Sequence, residues 1–300
     1  MSRPVEIFRR KLGEDHPNTL SATSNLAMTY WPLGQSELAE PLYERSLASC
    51  RRLYGNAHPE TLVAMYNLAL TRVDLGKYAE AEALYQENYS NRVLIYKPDH
   101  PRTLLFLTSW ADAITMRGDY QRADAMYSQF MPVARRTLGE THITTLTGYG
   151  GLAELRRRQG RLPEAESMLI MLLHKDRDSF ALQDQVSLAE VRVQLGKYGE
   201  AMENAQSAYQ GFTKSDAENW ERFHAQSLLG ASLMGLRKFA EAEPALIAGY
   251  EGMLQKKSRI RVPSRGVLVE AGQRLVDFYQ LQGKPDKAAE WKARIAASQR

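Results

Sequence analysis

Between Pro59 and Gly76, apolar residues recur three and four positions apart, as in Leu62, Met65, Leu68 and Ala69. That spacing predicts a one-sided amphipathic helix. Pro59 stands at its first turn, where a missing N–H costs nothing, and Gly76 stops it because glycine takes a positive φ cheaply. A second helical run follows with Ala81, Leu84 and Tyr85 on its inner face, so the segment reads as two antiparallel helices. The pattern then repeats. His16, His58, His100 and His142 stand 42 residues apart, and Gly34, Gly76, Gly118 and Gly160 keep the same step. A period without drift over this length points to one structural unit stacked many times, not to a single globular core.

Seven units can be aligned on the turn residues Gly34, Gly76, Gly118, Gly160, Gly196, Arg237 and Gly283, spaced 42, 42, 42, 36, 41 and 46 apart. Ala39, Ala81, Ala123, Ala165, Ala201, Ala242 and Ala288 hold one equivalent position in all seven. Ala27, Ala69, Ala111, Ala153, Ala189 and Gly230 hold another, with Val276 the departure. Small side chains at two positions let helices cross closely, while Leu26, Leu68, Trp110, Leu152, Leu188, Leu229 and Leu275 fill the space beside the contact. The pattern predicts an all-α fold, an α-solenoid of about seven antiparallel helical hairpins. The units fall near 17–58, 59–100, 101–142, 143–178, 179–216, 217–262 and 263–300. Residues 1–16 align with the tail of a second helix and the following loop. The chain therefore reads as starting halfway through a repeat, and the polar last helix, with Lys284, Lys287, Glu290, Lys292, Arg294 and Arg300, as a terminal cap.

Composition adds boundaries to this picture. Apolar residues make up 44% and charged residues 25%, enough for a continuous core, and the formal charge of +4 is a mild excess for 300 residues. Specific nucleic-acid binding is not expected from so small an excess. The longest apolar run, Met168 to Leu173, is far too short for a membrane span, and the N-terminus lacks an apolar signal core. Cys50 is the single cysteine, which fits a cytoplasmic location.

The small–turn–small spacing resembles the tetratricopeptide repeat. With the 42-residue period, the inter-unit segments LGEDHPNTL, YGNAHPETL, KPDHPRTL and LGETHITTL, and a proline early in second helices (Pro41, Pro244), it is similar to the kinesin-light-chain-type subclass. The first four units match tightly, the last three at family level. The resemblance implies a right-handed superhelix whose first helices line a concave groove. The ending QRLVDFYQLQGKPDKAAEWKARI resembles the close of repeat arrays in bacterial serine/threonine kinases, which implies an upstream kinase domain in a full-length protein.

Catalytic chemistry finds no support in the motifs. No dinucleotide-binding glycine pattern, phosphate loop or kinase signature occurs, and Cys50 has no histidine near it in sequence. The chain is expected to be non-enzymatic, with no cofactor. The histidine series is not expected to bind metal. Ligands must converge at about 2 Å from an ion, whereas stacked hairpins lie roughly 10 Å apart. A histidine before proline at a helix start instead orders the loop. His174 suits the end of a second helix, where the dipole favours it. His224 is a lone residue on a first helix.

The groove implied by the resemblance would be lined from the first helices. Ser21, Ser24, Asn25 and Met28 come first, then Val63, Tyr66, Asn67, Leu70 and Asp74. Leu105, Thr108, Ser109 and Asp112 follow, then Thr147, Gly150, Glu154 and Arg158, and Gln183, Ser187 and Glu190. Asn25, Tyr66, Asn67, Leu70, Ser109, Asp112, Glu154 and Glu190 are the expected peptide-binding residues. Asn25 and Asn67 match the family's asparagine, a side chain that offers a peptide backbone one donor and one acceptor. Asp112, Glu154 and Glu190 read as an acidic column that favours a protein or peptide partner with basic residues. Of two basic stretches, Arg156 to Arg158 and Lys256, Lys257, Arg259, Arg261 and Arg265, the second reads as a solvated, mobile loop, and in the first Arg158 stands one turn from Glu154 and can pair with it. The expected function is a scaffold holding a partner peptide. The alternative is a regulatory or docking segment of a larger signalling enzyme.

Overall fold

In the computed structural model, residues 3–175, 181–216 and 218–298 are described, and among them every regular element is an α-helix or a short 3-10 turn. Helix α1 (Arg3–Leu12) precedes the pairs α2 (Pro17–Tyr30) and α3 (Ser36–Tyr54), α4 (Pro59–Asp74) and α5 (Tyr78–Ile95), and α6 (Pro101–Arg117) and α7 (Tyr120–Leu138). Next come α8 (Ile143–Arg158) with α9 (Leu162–Lys175), α10 (Ala181–Gln194) with α11 (Tyr198–Ser215), α12 (Trp220–Gly235) with α13 (Phe239–Gln255), and α14 (Gly266–Leu281) with α15 (Pro285–Ser298). The helical-hairpin array read from the period is thus the observed architecture. The junction expected at 178/179, the start of a unit at 217, and Arg300 lie outside the described residues.

The chain divides into two compact units. The first runs to Gly148 and includes Arg261–Pro263; the second comprises Tyr149–Ile260 and the chain from Ser264 onward. In the first, Leu62, Met65, Leu68, Tyr85 and Phe106 belong to one continuous core. In the second, Leu246, Tyr250, Met253, Leu275 and Phe278 do the same.

Sequence explains the hairpins at atomic detail. Each first helix ends in a left-handed residue: Gly34, Gly76, Gly118, Gly160, Gly196 and Gly283 have φ of 67 to 94°, and Arg237 adopts φ 60°. The same two bonds close each turn, as where Gly76 N–H donates to Val73 O at 2.9 Å and Lys77 N–H to Arg72 O at 2.8 Å. This is the Schellman arrangement, which satisfies the last carbonyls of the helix. The entry to each first helix is set by histidine. Nδ1 of His16, His58, His100 and His142 accepts the N–H of Asn18, Glu60, Arg102 and Thr144 at 3.1, 3.2, 3.2 and 3.2 Å. The imidazole does the work of an aspartate or asparagine N-cap. Tyr54 stacks on His58 at 4.6 Å and Tyr96 lies against His100 at 4.8 Å, tying each cap to the preceding helix.

Both small-residue columns lie at helix contacts. Ala39, Ala81, Ala123, Ala165, Ala201 and Ala242 have no exposed surface, as do Ala27, Ala69, Ala111 and Ala189. The α12–α13 crossing is tighter still. A β-carbon on Gly230 would fall 2.8 Å from the backbone nitrogen of Leu246, and one on Gly249 would fall 2.6 Å from that of Ser227. Successive hairpins are also stapled by charge. Glu40 holds Lys77 at 2.7 Å and Arg72 at 3.4 Å. Glu82 holds Arg117 and Arg122, and Glu166 holds Lys197 at 2.7 Å and Arg192 at 3.0 Å.

The basic loop expected to be mobile is folded. Two 3-10 turns, Lys257–Arg259 and Val262–Ser264, flank Ile260, which is fully buried. Lys256 pairs with Glu218, and Lys257 donates to the Ser298 carbonyl at 2.7 Å. An apolar anchor and these bonds give the segment a fixed path that its charge alone did not suggest.

Candidate functional site

Asn25 on α2 and Asn67 on α4 line a single groove of about 350 Å³ in the first unit. Its walls carry Ser21, Ser24 and Met28 from α2 and Glu60 and Val63 from α4. Ser46, Cys50 and Tyr54 from α3 close it, so the second helix supplies residues that a reading of first helices alone misses. Cys50 on α3 is buried there, and burial pushes its thiol pKa up, which disfavours the reactive thiolate. Met28 is 58% exposed and Val63 50%, so two apolar side chains stand in water beside the two amides. Neither amide is hydrogen-bonded within the described residues. The groove therefore offers backbone donors and acceptors together with unburied apolar surface.

Tyr66 and Ser109 are joined by a 2.8 Å hydrogen bond between their hydroxyls, which bridges α4 to α6. Burial raises the Tyr66 pKa, and its ring lies 5.9 Å from Phe106. Leu70 is half-buried on the same helix, and Leu105 is 41% exposed on α6. Two residues expected on this face turn inward. Thr108 is buried with its hydroxyl donating to Leu104 O at 3.2 Å, and Asp74 is buried near Ser36, where desolvation raises its pKa. Each lies on the core side of its helix, one or two residues from the exposed stripe.

The expected acidic column is not a row of free carboxylates. Asp112 accepts the Tyr127 hydroxyl in the first unit. In the second, Glu154 accepts from Arg157 at 2.7 Å and Arg158 at 2.6 Å. Burial pushes the Glu154 carboxyl up, but the two guanidinium partners outweigh it and hold the pKa low. Glu190 is buried and lies 2.9 Å from Arg157 without hydrogen-bond alignment, and desolvation raises its pKa. The Arg156 to Arg158 stretch thus serves as counter-charge, with the Glu154–Arg158 pair present as its spacing suggested, and Arg156 also reaches Glu164 at 3.4 Å. Deeper in the same unit, Arg274 donates to Ser227 at 3.2 Å and Glu270 at 3.4 Å. His224 is buried, its Nε2 has no partner, and burial together with the positive charges of Arg274 and Arg157 lowers its pKa to about 3. His224 stacks on Trp220 of its own helix at 6.2 Å, but the charges that act on it, Arg274 and Arg157, come from other hairpins. Among the described residues no cluster of three metal-ligating side chains exists, and no helix is long and apolar enough to cross a membrane.

The tetratricopeptide-repeat family model matches residues 5–49, 19–92 and 102–173. The chain belongs to the tetratricopeptide-repeat family. Comparison with curated proteins returns no match. Among solved structures, the nearly identical tetratricopeptide-like repeats assigned to a kinesin light chain of Podosopora anserina share 24% identity, over 67% of this chain and 98% of that one, with a TM-score of 0.52. A Rap protein complexed with competence and sporulation factor shares 12%, over 93% of this chain and 97% of that one, at 0.56. The signal-transduction ATPase with a tetratricopeptide-repeat sensor from Pyrococcus horikoshii shares 15%, over 98% of this chain and 45% of that one, at 0.64. At these identities the likeness is one of fold. That fold is a helical-hairpin repeat array, shared with the kinesin-light-chain-type repeats among others.

Proposed function

We propose that the protein is a non-catalytic interaction scaffold that holds an extended peptide segment of a partner protein across α2 and α4. The observation that carries this reading is the groove in which Asn25 and Asn67, with unengaged amides, stand beside exposed Met28 and Val63. Each asparagine can grip one peptide unit through a donor and an acceptor, and the apolar residues give aliphatic side chains of the ligand a place to be buried. Glu60 is the carboxylate on the groove wall, so a basic residue in the ligand is favoured near it. Leu70, Ser109 and Asp112 extend the ligand path toward α6. Glu154 and Glu190 contribute less than their charge suggests, because their own arginines already neutralise them. The Rap structure, solved with competence and sporulation factor bound, supports the use of such a fold for capture.

Panning a displayed library of random 12-residue peptides against the protein tests this. Enriched peptides should bind the Asn67→Ala variant ten- to a hundredfold more weakly, the cost of about 1–3 kcal/mol for a two-point amide contact. Undiminished binding to Asn25→Ala and Asn67→Ala would remove the groove from consideration.

A second reading, a regulatory segment of a larger signalling enzyme, is favoured by the Pyrococcus protein, in which the matched repeats are less than half of a chain that also carries an ATPase. An in-frame catalytic domain encoded with these repeats would establish it. A transcript that encodes the repeats alone would dismiss it.

A further inference from the structure

A second cavity of the first unit lies away from the asparagine groove. It is an open cleft of about 720 Å³ against α5, α6 and α7, beside the loop that leads into α6. Its floor is apolar, built from Leu104, Leu107, Trp110, Met126, Phe130 and Val133. Trp110 stands where the flanking hairpins carry Leu68 and Leu152. Its wider ring stacks on Tyr85 at 6.2 Å and leans on Tyr89, also in the lining, at 6.0 Å. The indole N–H is buried without a hydrogen-bond partner, which is costly unless something supplies an acceptor.

Charge on the rim is unbalanced. Lys97, Arg122 and Arg136 face a single carboxylate, Asp99. Arg122 is already engaged by Glu82, which leaves Lys97 and Arg136 as cations available to a ligand. The volume is that of a small-molecule site, and an apolar body with a few convergent polar groups is the usual make-up of one.

We propose that this cavity binds a small amphipathic carboxylate with an aromatic body. The rings of Tyr89, Trp110 and Phe130 take the body by stacking and burial, and Lys97 and Arg136 take the carboxylate at the mouth. The site is independent of the peptide groove: no residue lines both.

The probe is 2-naphthylacetate, titrated into the full chain by isothermal calorimetry, with 2-naphthylethanol as its uncharged analogue. Saturable 1:1 binding is expected, weakened at least tenfold in the Lys97→Gln/Arg136→Gln double variant and at least tenfold for the alcohol. Val133→Trp and, separately, Met126→Phe should fill the cavity and abolish binding while the melting transition stays cooperative. Asn67→Ala should bind the probe like wild type, so failure of the groove reading leaves this result unaffected. Absence of saturable binding at millimolar probe, or binding untouched by both filling variants, would overturn the site. Equal affinity for acid and alcohol would overturn the carboxylate assignment.

Discussion

His58 shows how one side chain decides where a helix begins. Its Nδ1 accepts the Glu60 N–H, so His58→Ala should cost about 0.5–2 kcal/mol, read from urea unfolding, whereas His58→Asn restores an acceptor and most of the loss. If both variants unfold like wild type, the histidine is not acting as a cap. Arg237 occupies a left-handed turn that glycine takes in every other hairpin. Arg237→Gly should therefore stabilise by about 1 kcal/mol, and a lower melting temperature would refute the strain. His224 makes a third residue-scale case. The unfolded chain protonates this imidazole near its ordinary value of 6.5, but the folded chain does so only near 3. Its contribution is full above 6.5 and is lost as pH falls through that window, by about 1.4 kcal/mol per unit. His224→Leu should remove one proton's worth of acid sensitivity between pH 7 and 5. An unchanged pH slope would mean the buried ring is not held neutral.

Between elements, close approach and charge staples act together. Ala81 and Ala123 have no room around them, so Ala81→Leu or Ala123→Leu should destabilise by about 1–3 kcal/mol through overpacking. Gly230→Ala should do the same, because the atoms in its way include the Leu246 backbone nitrogen, which cannot step aside. Wild-type melting of all three would place the crossings elsewhere. These columns were legible in the sequence because the same contact is built seven times and each copy reports on the others. The glycine turns, the prolines at helix starts and the hairpin order were legible for the same reason. The partner of Glu190 and the charges around His224 were not. Those contacts join one hairpin to another, so no local period records them: Glu190 on α10 sits against Arg157 of α8, and His224 on α12 lies near Arg274 of α14. Cys50 and Tyr54 reached the groove for a related reason, since the second helix closes a space that the repeat pattern credits to first helices alone.

At the level of the whole molecule, a tetratricopeptide-repeat array supplies surface, and function depends on which stretch of that surface is left incomplete. In the first unit, Asn25 and Asn67 are incomplete as hydrogen-bonding groups and Met28 and Val63 as apolar ones, whereas Glu154 in the second unit is satisfied by its own arginines. Site-specific photocrosslinking tests this most directly. A benzophenone amino acid replaces Met28 in the groove or, as control, Ala83, exposed on α5. Irradiated with a selected 12-residue peptide, the Met28 variant should give a covalent adduct that excess unlabelled peptide suppresses, and the Ala83 variant should give none. Adducts from Ala83 with none from Met28 would contradict the groove and move the binding surface to the second helices.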